Sequence, residues 1–312
     1  MQYFFSLFTD YFKTLDKLSF LLITVFVAIL TFFNYRYGWS GKMWQASTEF
    51  EKFLRFYSLY FLVFAGSYFI LHLFGRTPIR FPLPLLVLIA AAPAVFALKV
   101  VFSAHRPLFF KIFQWPHSRY YYMLFDYPVR LVLVLLLCWL LWIWIKPAYP
   151  FCGLTLKNFA LKPYLILLAC MIPLIVFAST RPDFLHTYPK FKNISFFTDT
   201  STTPWLNRLW YELSYGIDFI TIEVFFRGFL VLAFAHFAGK DAILPMAAFY
   251  CVIHFGKPLP ECISSFFGGM LLGILVYRTE TIIGGLIVHL GIAWLMEAGG
   301  YLGNLEKGKV LK

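Results

Sequence analysis

Charge is scarce in this sequence. Only 13% of its 312 residues are Asp, Glu, Lys or Arg, against about 25% in an ordinary soluble domain. That shortage, with 61% hydrophobic and 21% aromatic residues, excludes a soluble enzyme and a disordered chain. No stretch is long and polar enough to be a nucleic-acid-binding domain. The net charge of +12 is therefore assigned to Lys and Arg at helix ends facing phospholipid headgroups, and no nucleic-acid partner is expected. Cysteine is sparse too. Cys138, Cys152, Cys170, Cys251 and Cys262 form no C-x-x-C pair and show no metal-ligand spacing; most fall within or beside apolar runs, where a free cysteine acts as a small apolar residue, and they say little about redox compartment. The apolar runs lack the strict alternation of an outer-membrane barrel. After Lys13 and Lys17 the first run reaches Tyr35 without a small-residue cleavage site, and it reads as a retained span.

What is present is a series of apolar runs of bilayer length, at a mean hydropathy of +0.73. After the first run they fall near 53–74, 83–102, 131–145, 164–180, 213–237, 244–255, 262–278 and 282–302. The stretch 244–255 is too short to cross alone, and Pro245 stands near its start. The fold expected is an all-α, polytopic transmembrane bundle of about eight or nine helices. Its organisation divides into N-terminal transmembrane helices (1–180), a polar connecting loop (181–212), a last group of helices (213–302) and a basic tail (303–312). Basic residues occur in nearly every loop, so no orientation follows from them.

The last group differs from the rest because its apolar runs carry ionisable residues. A charge at membrane depth costs at least about 2.5–3.5 kcal/mol and so points to function. Three elements hold them: Asp218-Phe-Ile-Thr-Ile-Glu223-Val-Phe-Phe-Arg227-Gly228, then Tyr250-Cys-Val-Ile-His254, then His289-Leu-Gly-Ile-Ala293 with Glu297 one turn on. At a spacing of four, Glu223 and Arg227 share a helix face and can pair. Taken singly, that pair also reads as a lock between helices, and each histidine as a hydrogen-bonded packing residue. Gly268, Gly269, Gly273, Gly284 and Gly285 read first as close helix packing. Taken together, a carboxylate, two histidines and an arginine are what water activation in lipid requires, with a base for the water and a donor for the oxyanion.

The order Glu-x-x-x-Arg-Gly, aromatic-x-x-x-His, Gly-rich helix, last His resembles the CPBP family. These are the CAAX proteases and bacteriocin-processing or immunity proteins, also called Abi, which include the type II CAAX prenyl proteases. The resemblance rests on Glu223-Val-Phe-Phe-Arg227-Gly228, His254-Phe-Gly-Lys-Pro and Tyr277-Arg-Thr, and covers residues 213–302. It implies a membrane-embedded peptidase, of the plasma membrane of a bacterium, acting on a membrane-associated protein or peptide by water activated with glutamate and histidine.

By that resemblance Glu223 matches the second glutamate of E-E-x-x-x-R and Arg227 its arginine. His254 matches the histidine of F-x-x-x-H, with Tyr250 in place of phenylalanine, and His289 that of H-x-x-x-N. Two positions depart: Ile222 replaces the first, water-activating glutamate, and Ala293 replaces the oxyanion-stabilising asparagine. The catalytic set expected is Glu223, His254 and His289, supported by Arg227 and Tyr250. Asp218 is the second choice of base, and Glu297 is a partner for His289 or Arg227. No cofactor is expected, because the glutamate mechanism implied for the prenyl proteases needs none. Zinc is the alternative, since two histidines and a carboxylate can make a catalytic site, but the chain has no H-E-x-x-H pair. A catalytically silent binding or immunity protein stays open through the two departures, and a transporter through the buried charges.

Overall fold

A computed structural model describes residues 2–157, 159–194, 196 and 205–306, with residues 2–5 by backbone only. Residues 307–312 of the expected basic tail, and 195 and 197–204 of the expected connection, lie outside the described residues. The protein is all-α, without strands among the described residues.

The helices in chain order begin with α1 (Gln2–Thr14), α2 (Lys17–Tyr37), α3 (Trp39–Trp44), α4 (Glu49–Phe74) and α5 (Leu83–Val101). Next come α6 (Arg106–Ile112), α7 (His117–Ile145), α8 (Leu161–Ala178) and α9 (Pro182–Thr187). The last part holds α10 (Trp205–Ile222), a π-helical segment (Glu223–Ala233), α11 (Phe234–Ala238), α12 (Ile243–Val252), α13 (Leu259–Thr279) and α14 (Ile283–Glu306). Among the described residues, seven helical runs are long and apolar enough to cross a membrane: Lys17–Tyr37, Glu49–Phe74, Leu83–Ile112, His117–Ile145, Leu161–Ala178, Leu259–Thr279 and Ile283–Glu306. The protein is thus an integral membrane protein. Most expected spans are recovered within a few residues. The helix expected from 131 starts instead at His117, because its first turns carry Tyr120, Tyr121 and Tyr122 rather than aliphatic residues. The short stretch before His254 is confirmed as short: at 1.5 Å per residue, ten-residue α12 rises about 15 Å, half a bilayer core.

The chain forms two compact units. The first comprises residues 1–101, 134–159 and 223–285. Its interior is aromatic: the Phe96 ring lies 5.1 Å from Phe225 and 5.0 Å from Phe226, and Phe249 lies 5.2 Å from Phe226 and 5.0 Å from Tyr60. These edge-on and tilted contacts suit the ring quadrupoles and fill space that aliphatic side chains would leave open. At the start of α2, Asp16 caps the helix: its carboxylate accepts from Ser19 N at 2.8 Å and Arg76 N at 3.2 Å. The Ser19 amide, outweighing partial burial, holds the carboxyl below its ordinary range. The stabilisation is therefore complete above the ordinary carboxylate range and fades as pH falls through the depressed value. Asp16→Ala is expected to cost about 1 kcal/mol at neutral pH, with the deficit closing in acid. Thermal unfolding of both proteins across pH checks this, and a deficit that does not shrink on acidification would refute the cap.

The second unit comprises residues 102–133, 160–222 and 286–312. Tyr120, Phe191, Ile194, Phe196, Tyr211 and Tyr215 make its aromatic core. Asp126 pairs with Arg130 (2.9 Å) and with His105 (3.1 Å). The glycines of α14 allow close approach here: a Cβ on Gly300 would stand 2.5 Å from the Tyr188 Cβ. Asn304 Nδ2 donates to Tyr188 O at 3.0 Å, closing the same contact.

Candidate active site

The ionisable residues of the first unit converge through the π-helical segment. All eleven residues of Glu223–Ala233 are buried. The π winding is wider than the α-helix assumed from the spacing, and such turns are rare and frequently found at functional sites. Glu223 and Arg227 still meet, with Nη1 3.2 Å from Oε1 and exposures of 0% and 1%. Two glycines make room for this arrangement. A Cβ on Gly285 would stand 2.8 Å from Glu223 Oε2, so a side chain there would push the carboxylate aside. A Cβ on Gly228 would stand 2.3 Å from Cys152 O, which is why glycine must follow the arginine.

From Arg227 the contacts run to the next helix. Its guanidinium carbon lies 3.8 Å from the centroid of the buried Tyr250 ring, a desolvated cation–π contact of about 2 kcal/mol. Tyr250 in turn meets the His254 imidazole edge to face at 4.7 Å. Helix α12 ends at Val252, and His254 occupies the turn beyond it, held by Nδ1 to Tyr250 O at 2.8 Å. A carbonyl only accepts, so Nδ1 carries the hydrogen, and in the neutral ring Nε2 bears the lone pair. That is the tautomer a general base needs. The turn is shaped by Gly256 at φ +92°, a left-handed value that favours glycine. It is tied down by Tyr35 OH donating to Lys257 O (2.6 Å) and by the Lys257–Glu261 ion pair (3.0 Å).

The remaining expected residues, Asp218, His289 and Glu297, belong to the second unit. There the Phe219 and His289 rings meet edge to face at 4.9 Å. Ala293 is buried, and Leu290 and Trp294 pack against Gly216. Glu297 is 5% exposed, and its Oε2 accepts from Lys190 N at 2.7 Å. One residue not anticipated from the sequence stands out in this unit: Glu212, whose two carboxylate oxygens are buried without a hydrogen-bond partner among the described residues, one turn from Arg208 on α10. Nothing in the local sequence marked it, because it lies at the polar margin of the expected span. Among the described residues, no group of three or more His, Cys, Asp or Glu is placed to hold a metal ion.

The arrangement is therefore a buried carboxylate–guanidinium pair stacked on a tyrosine that positions a histidine, within a membrane protein. Residues 204–295 match the family described as Type II CAAX prenyl endopeptidase Rce1-like, which bears out the CPBP resemblance over the last third of the chain. No curated protein and no solved structure matches the chain.

Proposed function

We propose that this protein is an intramembrane endopeptidase of CPBP type that hydrolyses a peptide bond in a membrane-associated protein or peptide. The observation that carries this reading is the linked set Glu223, Arg227, Tyr250 and His254, four residues of the matched family's segment joined by direct contacts inside one unit. In this mechanism Glu223, with His254, removes a proton from water, and the resulting hydroxide attacks the scissile carbonyl. Arg227 and Tyr250 position the two, and His289, the match to the family's last histidine, is the third residue proposed as catalytic. Asp218 is the alternative base. The proposed reaction uses no metal: near-stoichiometric zinc in purified protein, with cleavage abolished by a chelator, would overturn that part. The plasma membrane of a bacterium is the proposed location.

Glu223→Gln tests the reading, since the amide keeps the size and polarity of the side chain beside Arg227 while the base is gone. Cleavage is expected to fall by about 10²–10⁴-fold. The measurement compares protein termini in membranes and medium from cells carrying either form at equal level. Termini that depend on the parent protein and vanish with the variant support proteolysis. Identical termini would favour the second reading, a silent binding or immunity protein, which Ile222 and Ala293 favour. If Glu223→Gln cleaves normally and Asp218→Asn does not, the base is Asp218.

A further inference from the structure

Cys251 and Cys262 are remote from each other in register but adjacent in space. Cys251 sits in the last turn of α12 and Cys262 in the first turn of α13, on either side of the turn that holds His254. Their sulfurs are 3.8 Å apart, and both residues are buried, at 2% and 0% exposure. Each thiol also reaches the other residue's backbone: Cys251 Sγ donates to Cys262 O at 3.2 Å, and Cys262 Sγ to Cys251 O at 3.6 Å. The surroundings are polar for a membrane protein. Ser265 Oγ donates to Cys262 O at 2.7 Å. Above the pair the turn is open, with Gly256, Leu259 and Pro260 exposed, and Ile263 and Ser264 beside Cys262 are exposed too. By contrast Cys170 is exposed and lies in the other unit.

We propose that Cys251 and Cys262 are a site of reversible oxidation, closing to an intramolecular disulfide that fastens both ends of the His254 turn. Sulfurs already within 4 Å need only small side-chain rotations to reach bonding distance, whereas thiols on unrelated faces would need backbone movement. The oxidant is a small uncharged hydroperoxide, able to enter where a charged disulfide could not. One thiol attacks the peroxide oxygen, giving a sulfenic acid and releasing water. The second thiol then attacks that sulfur, forming the S–S bond and expelling a second water. The balance for hydrogen peroxide is two thiols and one peroxide to one disulfide and two waters. Thiol reductant reverses it. Because α12 is packed along α13, the bond makes the turn of residues 253–261 part of one closed covalent loop and fixes the backbone from which His254 is hung.

The test needs no peptidase activity, so it stands or falls apart from the proposed function. Full-length protein in detergent is reduced, freed of reductant and treated with hydrogen peroxide. Free thiols are then blocked in denaturant, and reducible ones are released and labelled with a second reagent for mass spectrometry. The expected result is joint conversion of Cys251 and Cys262 to the reducible pool, with the intact mass lower by two hydrogens before Cys170 is counted. Cys251→Ser is expected to leave Cys262 out of that pool. Cys170 reports that the oxidant acted: Cys170 oxidised while Cys251 and Cys262 both remain free thiols would overturn the proposal. So would conversion of either to sulfinic acid without a bond between them. If Cys251→Ser does not fold, the mapping in the parent protein decides alone.

Discussion

Gly228→Ala is expected to remove the folded protein from membranes altogether, although it adds a single methyl group. The added Cβ would stand 2.3 Å from Cys152 O and 2.9 Å from both the Cys152 carbonyl carbon and its Cβ. Two of those three atoms are backbone, so no side-chain rotation relieves the overlap. Cys152 cannot easily retreat, because it holds a left-handed φ of +48° in a short 3-10 turn, Phe151–Gly153. The adjoining Gly153 O accepts from Ile282 N at 3.0 Å, and Gly153 is itself at φ +65° against Leu232 and Ile282. The π segment cannot retreat either, as every residue in it is buried. Overpacking costs of about 1–3 kcal/mol apply where side chains can yield; against fixed backbone on both sides the loss should exceed about 4 kcal/mol. The checks are the amount of membrane-integrated protein and the thermal midpoint in detergent, with Gly268→Ala as control, since a Cβ there meets nothing within 4 Å. Gly228→Ala accumulating and melting like the control would show that the Cys152 turn is not seated against the π segment.

That contact marks a boundary in what the sequence could convey. The spans were legible because bilayer length and apolar composition are local properties, and Lys17–Tyr37 or Leu259–Thr279 announce themselves in a single window. The order Glu223, Arg227, Gly228, His254 was legible as a motif, and its residues within the first unit do come together. The reason for the glycine was not, because it lies in a carbonyl 76 positions earlier, brought there only by tertiary packing. The π winding was equally hidden: Glu-x-x-x-Arg is compatible with α and π alike, and the wider turn depends on what surrounds it. In the sequence the cysteines read as small apolar residues because no local spacing links positions 251 and 262, and a helical turn-back is what juxtaposes them. Glu212 escaped notice for the opposite reason. It looks like an ordinary margin residue until the fold buries its oxygens.

Arg227 should prove the most sensitive side chain of the site to any replacement, including the conservative one. It is the largest side chain buried to below 2% exposure, and its charge is balanced inside the first unit by Glu223 at 3.2 Å and by the Tyr250 ring at 3.8 Å. Arg227→Met leaves the Glu223 carboxylate at 0% exposure without its cation, and breaking such a buried pair costs about 3–5 kcal/mol. Arg227→Lys is expected to recover little of this, because an ammonium has no planar face to lay on Tyr250 and no fork to reach the carboxylate while doing so. Combining Arg227→Met with Glu223→Gln should melt higher than Arg227→Met alone, since no unpaired charge then remains. Glu223→Gln by itself should fall between the parent and Arg227→Met, as the amide keeps its size and the guanidinium keeps the Tyr250 ring. Thermal midpoints of the four proteins in one detergent form a closed cycle that reads the coupling directly. A coupling near zero would make the pair an incidental neighbour, and the Tyr250 stack would then be the whole reason for an arginine at this depth. A large coupling, with cleavage lost in Glu223→Gln while most of its stability is kept, separates the carboxylate's chemical role from its part in holding the helix in place.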